Sequence, residues 1–170
     1  SSTLLPELQT AAHASPAPAA GPPAAPSQVL SDMQDPRAWA LSSRDGSIRP
    51  DTSTHSHGTQ SLEIATTGDS RCPTSAELAL SGVDMTDCQW DLWLRAEDYR
   101  QIESIQLELG GEGEDCLRLD VAPDMRTLRT GTWCRVTVNR AAERAVVGHP
   151  RLDRVTRVRL KAGPGSDSAP

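Results

Sequence analysis

The stretch Gln89-Trp90-Asp91-Leu92-Trp93-Leu94-Arg95 changes character at every residue, with one interruption at Trp93. Successive side chains of a β-strand point to opposite faces, so Trp90, Leu92 and Leu94 share one side and Asp91, Trp93 and Arg95 the other. Two later stretches carry the same period. In Ser104–Leu109, Ile105, Leu107 and Leu109 oppose Gln106 and Glu108, and in Leu117–Val121, Leu117, Leu119 and Val121 oppose Arg118 and Asp120. Strands with one aliphatic and one polar side predict sheets packed face to face.

Working outward, Ala38–Leu41, Ser47–Arg49, Ser61–Thr66, Ala76–Leu80, Trp133–Asn139 and Val155–Lys161 read as further strands. The run Cys116–Val121 takes in the third alternating stretch. Gly68, Gly82, Gly110, Gly111, Gly113, Gly131 and Gly148 fall between runs, and no long apolar stripe of helical period occurs. The predicted fold is all-β, a two-sheet antiparallel β-sandwich over residues 31–162. Residues 1–30 differ in composition: six of the 13 prolines precede residue 27, among Ala, Ser and Gly. Such a segment buries too little apolar surface to offset chain entropy, which predicts a disordered Ala/Pro-rich linker. Residues 163–170 read as a flexible C-terminal tail or a truncated final connection.

The 170 residues carry a net charge of −6 and a pI near 5.2, which argues against nucleic acid as a partner. No apolar run approaches the roughly 18 residues of a membrane span. The first residues lack the charged start and apolar core of a signal peptide, and the expectation is an export signal already removed. The chain has four Trp, one Tyr and no Phe, so the core volume must come from Leu, Val and Ile. An outward Trp then calls for an explanation, because its exposure forgoes a large burial gain. Cys72, Cys88, Cys116 and Cys134 make an even count without a C-x-x-C pair. Two disulfides in an oxidising compartment are expected, with Cys72–Cys88 and Cys116–Cys134 favoured by proximity along the chain and buried free thiols as the alternative. Alternation sets Cys116 and Cys134 on opposite faces unless a bulge intervenes.

Several segments in order resemble a known group. His55-Ser56-His57-Gly58-Thr59-Gln60-Ser61-Leu62 resembles the H-x-G-x-x-S-L entry to an early strand of galactose-binding-like jelly rolls. Trp39 after Asp32 and Asp35, the strand Asp91-Leu92-Trp93-Leu94, the G-x-W-x-x-V-x-V run from Gly131 to Val138, and Val155–Leu160 resemble later elements of the same fold. These β-sandwiches include carbohydrate-binding modules of secreted bacterial polysaccharide-active proteins. The resemblance implies a secreted, periplasmic or cell-surface protein. It implies no cofactor beyond a structural calcium, for which Asp32, Asp35 and Asp45 are the remaining oxygen donors. The family closes with a further strand carrying an Asp, which this sequence lacks.

The outward residues Asp91, Trp93, Arg95, Gln106, Glu108, Arg118 and Asp120 form the candidate ligand site, provided their strands are neighbours. A pyranose would stack on the indole while carboxylates, amide and guanidinium groups bind its hydroxyls. The competing reading is a solvated sheet face with cross-strand ion pairs. Loop residues Tyr99 and Arg100 offer a second glycan site. His55 and His57 with Asp51 have a feasible geometry for a metal, but the preferred reading is a structural or surface histidine pair. No G-x-S-x-G elbow, H-E-x-x-H motif or phosphate-cradling glycine loop is present, and Gly110-Gly111-Glu112-Gly113 reads as an acidic turn. The expected function is non-catalytic binding of an extracellular or cell-envelope polysaccharide or oligosaccharide. The alternatives are a structural or adhesion domain docking onto an adjacent domain of a parent protein, and a polysaccharide hydrolase or lyase.

Overall fold

A computed structural model describes residues 3–7, 13–16, 28–31, 33, 35–44, 46–55, 58–65, 73–96, 102, 104–121 and 129–163. The described residues include the strands β1 (Thr3–Glu7), β2 (His13–Pro16), β3 (Gln28–Val29), β4 (Trp39–Leu41), β5 (Ser47–Asp51), β6 (Ser61–Ala65), β7 (Thr74–Val83), β8 (Cys88–Ala96), β9 (Ser104–Gly110), β10 (Cys116–Asp120), β11 (Cys134–Val138), β12 (Glu143–Val147) and β13 (Val155–Gly163). They form two antiparallel sheets. The first has the order β3-β2-β8-β1-β6-β5, with β11 paired to β8 as well, and the second β12-β10-β9-β13-β7-β4. The chain is thus the all-β, two-sheet sandwich that the alternation predicts.

One core lies between the sheets. Trp90, Leu92 and Leu94 of β8 meet Ile105, Leu107 and Leu109 of β9, Leu117 and Leu119 of β10, and Val158 and Leu160 of β13, all essentially buried. Register explains this convergence. Leu107 lies opposite Leu119 on one side and Leu160 on the other, so aliphatic rows run across the strands rather than along one. In the first sheet Val138, Val136 and Cys134 lie opposite Trp90, Leu92 and Leu94. Met33 closes the core from a loop, at a φ of +63°, and its carbonyl accepts a 3.0 Å bond from Gln60 Nε2. Beside it the Trp39 indole donates to Ser31 Oγ at 3.2 Å.

Within residues 1–30, which composition reads as a disordered Ala/Pro-rich linker, the described residues 3–7, 13–16 and 28–29 form β1, β2 and β3. One edge of β8 is taken by β11, and β1 and β2 lie end to end along the other. An open central edge recruits even a proline-containing segment, because its N–H and C=O groups need partners. Neither expected disulfide is formed among the described residues, where Cys88, Cys116 and Cys134 are free thiols. Cys72 lies outside the described residues, as do residues 164–170. Cys134 belongs to the core-side row of the first sheet, whereas Cys116 sits on the outer face of the second, beside Glu108. Packed sheets stand about 10 Å apart, beyond the span of a disulfide.

Candidate functional site

The seven residues of the expected ligand site are divided between the two outer faces of the sandwich. Asp91, Trp93 and Arg95 lie on β8 of the first sheet, while Gln106, Glu108, Arg118 and Asp120 lie on β9 and β10 of the second. The condition that the three strands be neighbours fails, and the site as a single surface is corrected. Alternation had specified which side of each strand faces the core. It carries no information about which sheet the strand joins.

On the first face, Trp93 is half-buried and directly opposite Arg135 of β11. Asp91 is buried and engaged: Thr137 Oγ1 donates to its Oδ1 at 2.6 Å and Arg135 Nη2 to its Oδ2 at 2.7 Å. Arg95 Nε donates to the Gly131 carbonyl at 3.0 Å. These bonds orient the polar groups around the indole, and the Arg135 side chain stays 58% exposed. Further along the sheet, Arg49 forms a two-pronged pair with Glu63 at 2.7 and 3.1 Å. Arg135 and Thr137 were not identified from sequence. Their outward parity on β11 was legible, but not the pairing of β11 with β8.

The second face is closed on itself. Glu108, 2% exposed, accepts from Arg118 Nε at 2.7 Å, Arg159 Nη1 at 3.1 Å and Lys161 Nζ at 3.3 Å. Arg159 also reaches Glu77, with Nη2 to Oε2 at 2.9 Å. Burial alone would raise the Glu108 pKa, but Lys161 and Arg118 outweigh it and hold the carboxyl below its ordinary range. The Cys116 thiol is pushed up, by burial first and by Glu108 second, so it stays protonated and unreactive. Gln106 is buried and Asp120 half-buried on this face. The arrangement matches the cross-strand ion-pair reading and leaves no aromatic plane for a sugar among the residues it brings together.

At one end of the sandwich, a cleft of about 450 Å³ lies between the β9–β10 turn and the β12–β13 connection, lined by Glu112, Asp115, His149, Arg151, Arg154 and Thr156 among others. Asp115 holds its walls together by accepting from the His149 backbone N–H at 3.2 Å. Gly148 has a φ of +62°, and a Cβ there would run into the Asp115 carboxylate. Gly148→Ala is therefore expected to cost about 2 kcal/mol, from left-handed strain plus displacement of Asp115. Urea unfolding would check it, and an unchanged midpoint would show that the two loops are not braced at this point.

Of the expected calcium donors, Asp32 and Asp45 lie outside the described residues. Asp35 is exposed, and its Oδ1 accepts the Arg37 backbone N–H at 3.1 Å. His57, Tyr99 and Arg100 also lie outside them. Asp51 Oδ1 is engaged by Ser53 Oγ and by the backbone N–H groups of Ser53 and Thr54. No three metal-ligating side chains cluster among the described residues, and no described helix is long and apolar enough to cross a membrane. No protein-family model matches the chain, and no curated protein matches it.

Proposed function

We propose that the chain is a non-catalytic carbohydrate-binding β-sandwich whose site is the outer face of the first sheet at Trp93. One observation carries this reading: a half-buried indole on a sheet face, with Asp91 and Arg95 on its own strand and Arg135 and Thr137 on the next. The polar groups are held in place by bonds among themselves before any ligand arrives, which reduces the ordering cost of binding. A pyranose stacked on Trp93 would meet the remaining guanidinium donors of Arg135, because only Nη2 is used on Asp91. The four expected residues on the second sheet drop out of the site. Three free thiols withdraw the argument that tied the chain to an oxidising compartment, so the proposal rests on the glycan contact and not on location.

The test is retardation of the protein in native gels containing neutral and acidic polysaccharides. The parent should be retarded by at least one of them. Trp93→Ala should lose about 1.5 kcal/mol of binding, at least tenfold in affinity, with unfolding free energy changed by no more than about 1 kcal/mol. A parent that migrates unretarded across the panel would sink the reading, as would a Trp93→Ala protein that binds undiminished.

A further inference from the structure

The cleft between the β9–β10 turn and the β12–β13 connection has walls of opposite charge. The turn contributes Glu112 and Asp115, the connection Arg151 and Arg154, and Thr156 follows at the start of β13. Two of these charges are spent. Asp115 accepts the His149 backbone N–H at 3.2 Å, and Arg151 is held by Asp153 at 2.8 and 3.3 Å. Glu112 and Arg154 are not spent. Both are exposed, and neither side chain makes a hydrogen bond or ion pair among the described residues, with each other included.

Opposite charges lining one cleft attract, and free walls would close on each other. Here each wall is anchored separately. Arg157 Nη1 donates to the Gly113 carbonyl at 2.7 Å and fixes the turn. The Met85 N–H donates to the Leu152 carbonyl at 2.7 Å and the Arg154 N–H to the Arg151 carbonyl at 3.1 Å, which fixes the connection. The Arg154 stem lies over Gly82, where a Cβ would stand 3.2 Å from Arg154 Cγ. Gly111 comes close to the Thr156 hydroxyl, so the cleft also offers a neutral polar group. A carboxylate and a guanidinium are thus held ready on the two sides of a braced gap, which lowers the ordering cost of binding.

We propose that this cleft binds a small zwitterion, a free amino acid or a dipeptide, with its ammonium on Glu112 and its carboxylate on Arg154. The Arg154 guanidinium has a fork of donors matched to a carboxylate, and Glu112 offers acceptors alone, which suit an ammonium. A simple anion would also meet Glu112 and Asp115, and a simple cation would also meet Arg151 and Arg154. Only a ligand carrying both signs finds partners on both walls. The volume of about 450 Å³ admits such a molecule. The cleft shares no residue with the Trp93 face, and the proposal stands without the glycan reading.

Ligand-observed NMR of the unmodified chain, with one mixture of free amino acids and one of dipeptides at up to about 10 mM each, tests the proposal. At least one compound should bind, and the mixture that responds identifies which of the two classes is the ligand. N-acetylation and methyl esterification of that compound should each weaken binding about tenfold. Glu112→Gln should bind the free and N-acetylated forms equally. Arg154→Met, which keeps a stem over Gly82, should bind the free acid and its methyl ester equally. No binding from either mixture overturns the proposal. So does a compound whose binding survives the blocking of either end, a result read on the parent chain and independent of both variants.

Discussion

Trp90→Ala is expected to lower the unfolding free energy by about 4 kcal/mol, near the top of the range for emptying a large aromatic site. Trp90 heads the fully buried side chains, at 1% exposure. The sequence has no phenylalanine, and Trp90 belongs to a core made mostly of Leu, Ile and Val with Met33 and Met85, whose close packing leaves much of the vacated volume unfilled. Trp90→Phe should cost far less, about 1 kcal/mol. The Trp90 Nε1 has no hydrogen-bond acceptor among the described residues. Burying such a donor costs about 1–3 kcal/mol, and phenylalanine removes that penalty while keeping most of the bulk. Urea denaturation of the two variants separates the terms. If the Phe variant falls as far as the Ala variant, the indole N–H has a partner and the orphan-donor argument is wrong. Three residues along the same strand, Trp93→Ala should barely register in the same assay.

That contrast marks what was legible in the sequence. Period two sorted the two tryptophans of β8 correctly, one into the core and one onto the outer face, and it sorted β9 and β10 as well. Sheet membership was not legible. β8 and β9 follow one another and look alike, yet they belong to different sheets, and nothing in either strand's pattern records that change. The candidate site split for this reason. β12 escaped notice because Glu143-Arg144-Ala145-Val146-Val147 has no alternation; it is an edge strand, and Val146 is 53% exposed. β1 and β2 escaped because their composition argues for a tether, and only the unpaired edge of β8, a property of the assembled sheet, reverses that. The even cysteine count misled because parity along the chain does not measure distance across a sandwich.

Glu108→Ala is expected to cost about 3 kcal/mol. Breaking a buried ion pair by removing one partner typically costs about 3–5 kcal/mol, because the partner's charge is left uncompensated. Here three cations lose their shared carboxylate, but their side chains are 37%, 18% and 21% exposed, and water recovers part of the loss. Arg159 also keeps Glu77. The same geometry fixes a pH dependence. The Glu108 pKa is lowered in the folded protein from an ordinary value of 4.5, so the unfolded chain takes up the proton first as pH falls. Its stabilisation is complete above about 4.5 and is lost below that, through the folded-state value. Asp51, Asp84 and Asp153 are lowered as well, so acid weakens the parent through several groups. Glu108→Gln isolates the one in question: it retains an acceptor of the same shape and cannot titrate. The stability gap between parent and Glu108→Gln should be widest above pH 4.5 and narrow steadily in more acidic solution. A gap independent of pH would mean that Glu108 contributes by shape and packing, and that the three cations on this face do not depend on its charge.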